Sequence, residues 1–513
     1  MKPTSLNAER RARDLDALAA GEVVDLLVIG GGVTGAGVAL DAASRGLSVA
    51  LLEARDLAFG TSRWSSKLVH GGLRYLARGD VGLAHESAVE RGVLMTTTAP
   101  HLIRSLPQLL PLHEKVSPAV AAAGRAGLYA GDVLRRLART PSNLLPRPRR
   151  VSGPEALALA PGLRAAGLRG GLLSFDGQLT DDARLVVALA RTAAGFGARI
   201  VTRARVVAVR RTGADVRDEL TGRTLQVRAR GVINATGVWA GELVDSVRLR
   251  PSRGSHLVLD GTSIGVTTVA LTIPVPGRFG RFALLLPQRD GRVHLGLTDE
   301  PVDGPIPDVP EVPQSDVDFL LEIGSSVLQR RLGPADVLGR YAGLRPLLPG
   351  LGTRGGDLSR HHAVLTAADG VITVVGGKLT TYRKMAQDAV DAAVAAAGLH
   401  AGPCRTKEIP LVGAAPRSRL STVEAPARLV AKYGTEAPSV CALGEVDPAL
   451  GEPVAPGVEL TAAEVVWAIR HEGALDADDV LHRRSRIGLV PAELEAARAA
   501  VTGLVGRSLL GLG

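Results

Sequence analysis

Three glycines at a fixed spacing mark the part of the chain best suited to bind a nucleotide. Gly30, Gly32 and Gly35 form a GxGxxG motif directly after the almost wholly apolar run 23–29. In this motif the first glycine permits a tight turn, the second lets a pyrophosphate approach the backbone, and the third lets the next helix pack closely. Glu53 follows roughly twenty residues later, where a carboxylate suits the hydroxyl pair of a ribose. These residue types predict a dinucleotide site.

The elements around the glycines decide how specific this motif is. A bare GxGxxG is also typical of a glycine-rich turn that binds nothing. Here an apolar strand precedes the glycines, a helix with Thr34 in its first turn runs to about Ser44, and a second apolar strand at 47–52 ends in Glu53. The amide hydrogens at the start of that helix would meet the phosphates. The combination favours a dinucleotide and leaves its identity open.

Polar side chains and glycines continue directly after the ribose acid. Hydroxyl groups and bare backbone at this density could line the rest of a long cofactor. We predict cofactor contacts from Thr61, Ser62, Ser65, Ser66, Lys67, His70, Gly72 and Leu73. Arg74 and Tyr75 come next and complete the sequence HGGLRY.

The stretch 25–76 resembles the start of the FAD-dependent glycerol-3-phosphate dehydrogenases. The family pattern contains GTSSxSSKLxHGGLRYL, and this chain has GTSRWSSKLVHGGLRYL at 60–76. It departs from the pattern at Arg63 and Trp64, where the family usually has a small residue first. The resemblance implies FAD as the cofactor and oxidation of sn-glycerol 3-phosphate to dihydroxyacetone phosphate.

Later motifs extend the resemblance over most of the chain. GLRPL at 343–347 and GGKLTTYRKMA at 376–386 are similar to the family's SGxRPL and GGKxTTYRxxA. His256 stands in a KGxH motif in which Arg253 replaces the lysine, and GLTD at 296–299 is a degraded GTTD. The resemblance implies further cofactor contacts from Val206, Thr236, Gly237, Gly377, Lys378, Leu379 and Thr380.

The order of elements predicts an α/β protein with three parts. We expect an FAD-binding Rossmann-like domain of the glutathione-reductase or D-amino-acid-oxidase type, an antiparallel-sheet substrate domain and a C-terminal all-helical domain. The predicted boundaries are an N-terminal extension at 1–22, an oxidoreductase region at 23–400 and the helical domain at 401–513. Within the oxidoreductase region, the FAD-binding parts are about 23–100, 165–250 and 339–400, and the substrate-domain parts are about 101–164 and 251–338.

Oxidation of a secondary alcohol needs a base for the hydroxyl proton, a hydride acceptor and, for a phosphate group, cations. The flavin N5 is the acceptor, so the protein supplies orientation and charge. We predict His256 as the base because an imidazole titrates near working pH, although a histidine merely hydrogen-bonded at a strand end is the structural alternative. Arg74, Arg345 and Lys378 each follow a glycine-bearing turn and are candidates for the phosphate.

Two further side chains, Tyr75 and Thr381, complete the predicted substrate contacts. We name His256, Arg345 and Lys378 as catalytic. Lys378 could instead neutralise a reduced flavin or polarise the C2 oxygen, so the sequence leaves the base and phosphate roles of these three residues open.

The net charge of +10 suits an anionic substrate, an anionic membrane surface or nucleic acid. Aromatic residues make up only 3% and no aromatic-studded basic motif is present, so we predict no nucleic-acid partner. A helix around 118–139 places Tyr129, Val133 and Leu137 on one face and arginines elsewhere. It could lie on an anionic bilayer or be a solvated helix.

Two distant cysteines and a charged N-terminus without an apolar h-region predict a cytoplasmic protein with no metal site. A quinone is the expected electron acceptor, with oxygen as the other choice. Peripheral attachment to the inner face of the cell membrane and assembly as a homodimer are left open.

Two other functions fit parts of the pattern. One is a related FAD-dependent oxidase of an amine or a 2-hydroxy acid, which would need a carboxylate clamp but not the HGGLRY and GGKLTTYR pair. The other is a flavoprotein that has lost activity and acts as a binding or regulatory partner. The altered positions allow this interpretation: Arg63, Trp64, Arg253 and Leu297.

Overall fold

The computed structural model describes residues 3–72, 80–114, 116, 118–277, 281–349 and 361–511. Its strands are β1 (Val23–Ile29), β2 (Val49–Leu52), β3 (Leu68–Val69), β4 (Ile103–His113), β5 (Arg149–Val151), β6 (Leu168–Leu179), β7 (Arg199–Val201), β8 (Ala204–Arg210), β9 (Gly213–Asp218), β10 (Thr224–Asn234), β11 (Ser252–Asp260), β12 (Ala270–Pro274), β13 (Phe282–Pro287), β14 (Arg292–Gly296), β15 (Glu300–Pro301), β16 (Val337–Arg345), β17 (His362–Thr366) and β18 (Ile372–Gly376).

The helices of the described residues are α1 (Ala8–Ala19), α2 (Val33–Ser44), α3 (Val81–Val93), α4 (Pro118–Leu137), α5 (Gly153–Leu159), α6 (Asp182–Gly195), α7 (Ala240–Leu243), α8 (Gln314–Ser325), α9 (Tyr382–Ala397), α10 (Arg417–Leu420), α11 (Ala427–Tyr433), α12 (Ala437–Val446), α13 (Pro448–Gly451), α14 (Ala462–His471), α15 (Ala477–Asp479) and α16 (Pro491–Leu510).

The glycine motif lies at the end of the central strand of a mostly parallel sheet. The strand order is β17-β18-β10-β1-β2-β7, and the β8–β9 pair extends from β10. Leu26 and Val28 of β1 pack in one core cluster with α2, α6 and α9. Leu27 and Ile29 face the opposite side with Leu18 of α1. Both faces of β1 are therefore covered, as its nearly continuous apolar sequence predicts.

The segment predicted as an N-terminal extension contributes α1 to this layer. Leu15 and Leu18 are buried, so residues 8–19 are part of the packed domain. Asn7 caps the helix by accepting a hydrogen bond from the backbone N–H of Arg10 at 2.9 Å.

A second, largely antiparallel sheet stands beside the first. Its order is β15-β11-β14-β13-β12-β4-β6-β3, with β16 paired to β11 and β5 paired to β6. The predicted division assigned the segments of β6 and β16 to the FAD-binding parts, but both strands pair within this second sheet. Because β16 pairs with β11, residue Tyr341 lies opposite His256.

The chain after Cys404 is helical, as predicted, and forms its own apolar clusters. Thr461 and Glu464 form a capping box at the start of α14, and Asp476 caps α15. This region packs on the main body through buried ion pairs, which we call the helical-domain interface: Asp56 with Arg483 and Arg484, and Arg184 with Glu472.

Candidate active site

A cavity of about 1320 Å³ is bordered by residues of both sheets and by both glycine turns. It brings together most of the predicted site residues within the described ranges. Those on its wall are Gly30, Gly32, Thr34, Glu53, Thr61, Ser62, Ser65, Ser66, His70, Val206, Thr236, Gly237, His256, Arg345, Gly377, Lys378, Leu379 and Thr380. Its volume suits a ligand larger than a typical small molecule.

The glycine motif closes one end of the cavity with backbone alone. Gly30 has φ +107°, and a Cβ on it would lie 2.7 Å from the carbonyl oxygen of Ala235. A Cβ on Gly35 would lie 1.9 Å from the carbonyl oxygen of Gly30, so α2 packs directly on the turn. Ser62 accepts a hydrogen bond from the Val33 N–H at 2.9 Å and caps the start of α2.

Glu53 lies at the end of β2 where the ribose of a dinucleotide is expected. The N–H groups of Gly31 and Arg55 donate to its two carboxylate oxygens at 2.6 and 2.7 Å. Burial raises the pKa of Glu53 above its ordinary value, and the two backbone donors oppose that shift. The carboxylate is thus fixed in position on the cavity wall.

The second glycine turn meets the loop that follows the first. Gly376 and Gly377 have φ of +80° and +69° after β18. The backbone N–H of His70 donates to Thr380 Oγ1 at 3.3 Å, which joins the HGG segment to this turn. Lys378 Nζ donates to Ser87 Oγ of α3 at 2.9 Å.

His256 is held in the wall by its neighbours. It is 1% exposed, and its Nε2 lies 2.9 Å from Ser66 Oγ. Its ring stacks on Tyr341 with centroids 4.6 Å apart, and a Cβ on Gly296 would lie 2.3 Å from it. Burial, followed by the positive charges of Lys67 and Arg345, lowers the pKa of His256 well below its usual value. The imidazole is therefore neutral near pH 7.

Arg345 ends β16 at the same wall. Its guanidinium donates to Asp299 Oδ1 at 3.0 Å, to Ser252 Oγ at 3.1 Å and to the carbonyl oxygen of Thr298 at 3.1 Å. Asp299 is the acid of the degraded GTTD motif, so this motif fixes the guanidinium. The side chain is 19% exposed and borders the cavity.

Four predicted residues in the described ranges lie off the wall: Gly35, Lys67, Gly72 and Thr381. The Lys67 side chain differs most from the prediction of a cofactor contact. Its ammonium is buried and donates to Asp182 Oδ2 at 3.1 Å and to the Arg63 carbonyl oxygen at 3.1 Å. A buried ammonium is stable only with such partners, so it cannot reach the cavity. The predicted residues Leu73, Arg74 and Tyr75 lie outside the described residues.

Two residues that contact predicted site residues were not themselves predicted. Asp176 borders the cavity, accepts from Arg91 at 2.7 Å and from the Gly71 N–H at 3.1 Å, and has its pKa raised by burial. Tyr341 packs on His256. The two-residue period of a strand could have found it, because Tyr341 shares a face with Arg345.

The residues present fit FAD. The backbone of the first glycine turn, the helix start and Glu53 match a pyrophosphate and a ribose. A Cβ on Gly237, which has φ +63°, would meet nothing within 4 Å, so the middle of the wall also presents open backbone. The second turn, with Lys378 and Thr380, borders the same cavity.

Comparisons with known proteins agree with this geometry. Residues 25–383 match the family model "FAD dependent oxidoreductase", and residues 404–510 match "C-terminal domain of alpha-glycerophosphate oxidase". The chain is 54% identical over 501 residues to glycerol-3-phosphate dehydrogenase 1 of Mycobacterium tuberculosis, with 96% of each chain covered. It is 34% identical to the mitochondrial glycerol-3-phosphate dehydrogenase of Arabidopsis thaliana, with 97% of this chain and 85% of the relative covered.

A solved structure extends the likeness to three dimensions. The glycerol-3-phosphate dehydrogenase of Bacillus halodurans, complexed with FAD, superposes with a TM-score of 0.74 at 26% identity. The match covers 99% of this chain and 97% of that one. The predicted fold class, an FAD-binding domain with a second sheet and a helical domain, is confirmed.

Proposed function

The chain belongs to the FAD-dependent glycerol-3-phosphate dehydrogenase family, and from that premise we propose that it oxidises sn-glycerol 3-phosphate to dihydroxyacetone phosphate and passes the electrons to a quinone. One observation carries the proposal. His256, Arg345 and Lys378 border the cavity that both glycine turns also border. A base and two cations thus stand beside the predicted flavin site.

Bound FAD supplies the hydride acceptor in this reaction. The residues of the chain supply the remaining needs of an alcohol oxidation. His256 is neutral, so it takes up the hydroxyl proton as the C2–H hydride leaves. The wall around it excludes water on the side where Tyr341 covers its ring.

The two cations hold the phosphate. Arg345 is oriented by Asp299 and Thr298, so its fork geometry is set before a phosphate arrives. Lys378 is oriented by Ser87 and adds a compact positive charge from the second glycine turn. A phosphorylated alcohol is therefore favoured over glycerol itself.

A flavin spectrum tests the activity. The purified yellow protein should bleach anaerobically on addition of glycerol 3-phosphate and stay yellow with glycerol. Bleaching by an amine or a 2-hydroxy acid instead would show a different oxidase. If glycerol 3-phosphate, amines and 2-hydroxy acids all fail to bleach the protein, it is an inactive flavoprotein.

Helix α4 supports the choice of quinone and of a membrane surface. Tyr129, Val133 and Leu137 follow each other at helical spacing and are 57%, 53% and 62% exposed. The other side of this helix borders the cavity at Gly124 and Leu128. An apolar face touching an anionic bilayer would place the lipid beside the cavity, where a quinone could enter. Within the described residues, no helix is both long and apolar enough to span a bilayer.

Vesicle sedimentation tests the membrane surface. The protein should sediment with anionic vesicles, and Val133→Glu should weaken that binding, because a carboxylate on the stripe is repelled. Val446→Glu, at an exposed site on α12, is the matched control and should bind as the wild type does. Equal binding of both variants would remove α4 from the membrane contact.

Turnover assays test the acceptor. A soluble quinone should sustain turnover faster than oxygen does. A peroxide yield equal to the substrate consumed, with no gain from the quinone, would identify an oxidase.

A further inference from the structure

A hydroxyl group covers the Nε2 edge of the buried imidazole at the cavity wall. Ser66 borders the cavity, and its Oγ is 2.9 Å from His256 Nε2. His256 itself is almost completely buried. The Nε2 edge of the imidazole is therefore occupied by Ser66, which stands where a substrate hydroxyl would otherwise have to approach.

The residues on both sides of Ser66 are held by one buried carboxylate. Asp182 Oδ2 accepts from the Ser65 N–H at 2.9 Å, from Ser65 Oγ at 2.7 Å and from Lys67 Nζ at 3.1 Å. Lys67 also has φ +55°, a left-handed conformation that its partners must hold in place. These contacts hold the segment that places the Ser66 hydroxyl beside His256.

The imidazole is fixed from its other face. Tyr341 stacks on His256 with an interplanar angle of 7°. The Tyr341 hydroxyl donates to the Ser65 carbonyl oxygen at 3.1 Å, so its oxygen accepts from His294 Nδ1 at 3.1 Å. The same tyrosine thus ties the ring of His256 to the segment that carries Ser66.

We propose that Ser66 relays the substrate proton to His256, an inference that rests on the proposed function. The substrate C2–H bond breaks and its electron pair leaves as hydride to the bound flavin. The substrate O–H bond breaks as its proton passes to Ser66 Oγ, while the Ser66 O–H proton passes to His256 Nε2. The C2–O bond becomes a carbonyl, Ser66 is again a neutral alcohol, and His256 carries the added proton.

The relay explains how a base that is almost fully buried can serve a substrate in the cavity. The Ser66 hydroxyl can both accept and donate a hydrogen bond, which a relay requires. It also assigns Ser66 a role in the reaction rather than only a contact with the cofactor.

Anaerobic stopped-flow bleaching tests the relay with a pair of variants. Ser66→Ala should slow flavin reduction by glycerol 3-phosphate about 10²-fold, because positioned proton transfer contributes at least that much. Ser66→Thr keeps the hydroxyl and should recover most of the rate. The KM for glycerol 3-phosphate should stay the same in both, and the rates are compared per bound FAD because Ser66 borders the cavity. Ser421→Ala, an exposed serine of the helical domain, is the control.

Two further readouts do not depend on the rate alone. In wild-type protein the bleaching rate should decrease non-linearly with the deuterium fraction of the solvent, because two protons move in the same step. In ¹⁵N-histidine-labelled protein without substrate, Ser66→Ala should shift the His256 Nε2 resonance because its hydrogen bond is lost.

The outcomes separate this inference from the proposed function. If glycerol 3-phosphate fails to bleach the wild type, the proposed function fails. If the wild type bleaches and Ser66→Ala bleaches equally fast, or the wild-type deuterium dependence is a straight line, the relay is overturned and the activity stands.

Discussion

Arginine serves two different purposes at the cavity wall and at the helical-domain interface. Arg345 is 19% exposed, shares its guanidinium among a carboxylate, a hydroxyl and a carbonyl group, and borders the cavity. Arg484 is 1% exposed and donates to both oxygens of Asp56 at 2.9 Å. The first guanidinium borders the cavity, whereas the second is enclosed with its counter-charge.

The contrast shows how one residue type is divided between binding and architecture. An arginine in the dry interior is stable only when a carboxylate neutralises it and hydrogen bonds satisfy it. Such a pair fixes the position of a domain but is closed to a ligand. At the cavity, Asp299 orients Arg345 on the wall, where we propose that its positive charge binds the substrate phosphate.

The largest expected effect is on the cavity side and involves His256. His256→Ala should slow bleaching by glycerol 3-phosphate by about 10² to 10⁴-fold, because it removes the base. The FAD content should change little, whereas the melting temperature should fall because truncating a buried ring leaves a cavity. Stopped-flow spectra and a thermal melt measure the two quantities. An unchanged rate would remove His256 from the mechanism.

A substitution at the helical-domain interface should lower the stability of the protein. Arg484→Ala leaves Asp56 buried with Arg483 as its remaining partner, and the free energy of unfolding should fall by about 3 kcal/mol. Affinity for FAD should fall too, because the Asp56 loop reaches the glycine motif through the Ala58 N–H bond to the Gly31 carbonyl oxygen at 2.9 Å. Denaturant unfolding and FAD titration measure these effects.

Arg498→Ala is the matched control for this prediction. Arg498 pairs with Asp478 at 2.9 Å, but both side chains are about half exposed. The free energy of unfolding should therefore change by less than about 1 kcal/mol. Equal losses in the two arginine variants would contradict the contrast between buried and exposed pairs.

A smaller effect is expected from Arg345 itself. Arg345→Ala should lower kcat/KM for glycerol 3-phosphate about 10- to 100-fold, because a charge-assisted hydrogen bond contributes roughly 1.5–3 kcal/mol. Arg345→Lys should lose less, since it keeps the charge but not the fork. Steady-state kinetics with a soluble quinone measure both. A loss of stability as large as that of Arg484→Ala would show that Arg345 is architectural.

The smallest effect concerns pH. Since burial, followed by Lys67 and Arg345, lowers the pKa of His256, the neutral base persists below the usual histidine pKa of about 6.5. The bleaching rate at saturating substrate should stay nearly constant from about pH 8 to 6.5 and fall only at lower pH, as His256 becomes protonated. A half-maximal rate near pH 6.5 would show a more exposed base.

Local chemistry made part of this site predictable. Gly30 needs φ +107°, Gly377 needs φ +69°, and Glu53 follows from its distance to the glycines, so these positions could be identified from sequence alone. The charged partners of long side chains could not be identified from the sequence. Lys67 meets a carboxylate 115 residues away and Arg484 meets one 428 residues away, and no local pattern specifies which acid each one finds.

The distance between Asp56 and its arginines has a consequence for biosynthesis. Arg483 and Arg484 leave the ribosome 427 and 428 residues after this aspartate. Until then Asp56 lies near the first glycine turn without these two arginine partners. We expect stable FAD loading to wait until both arginines have been synthesised and have paired with Asp56.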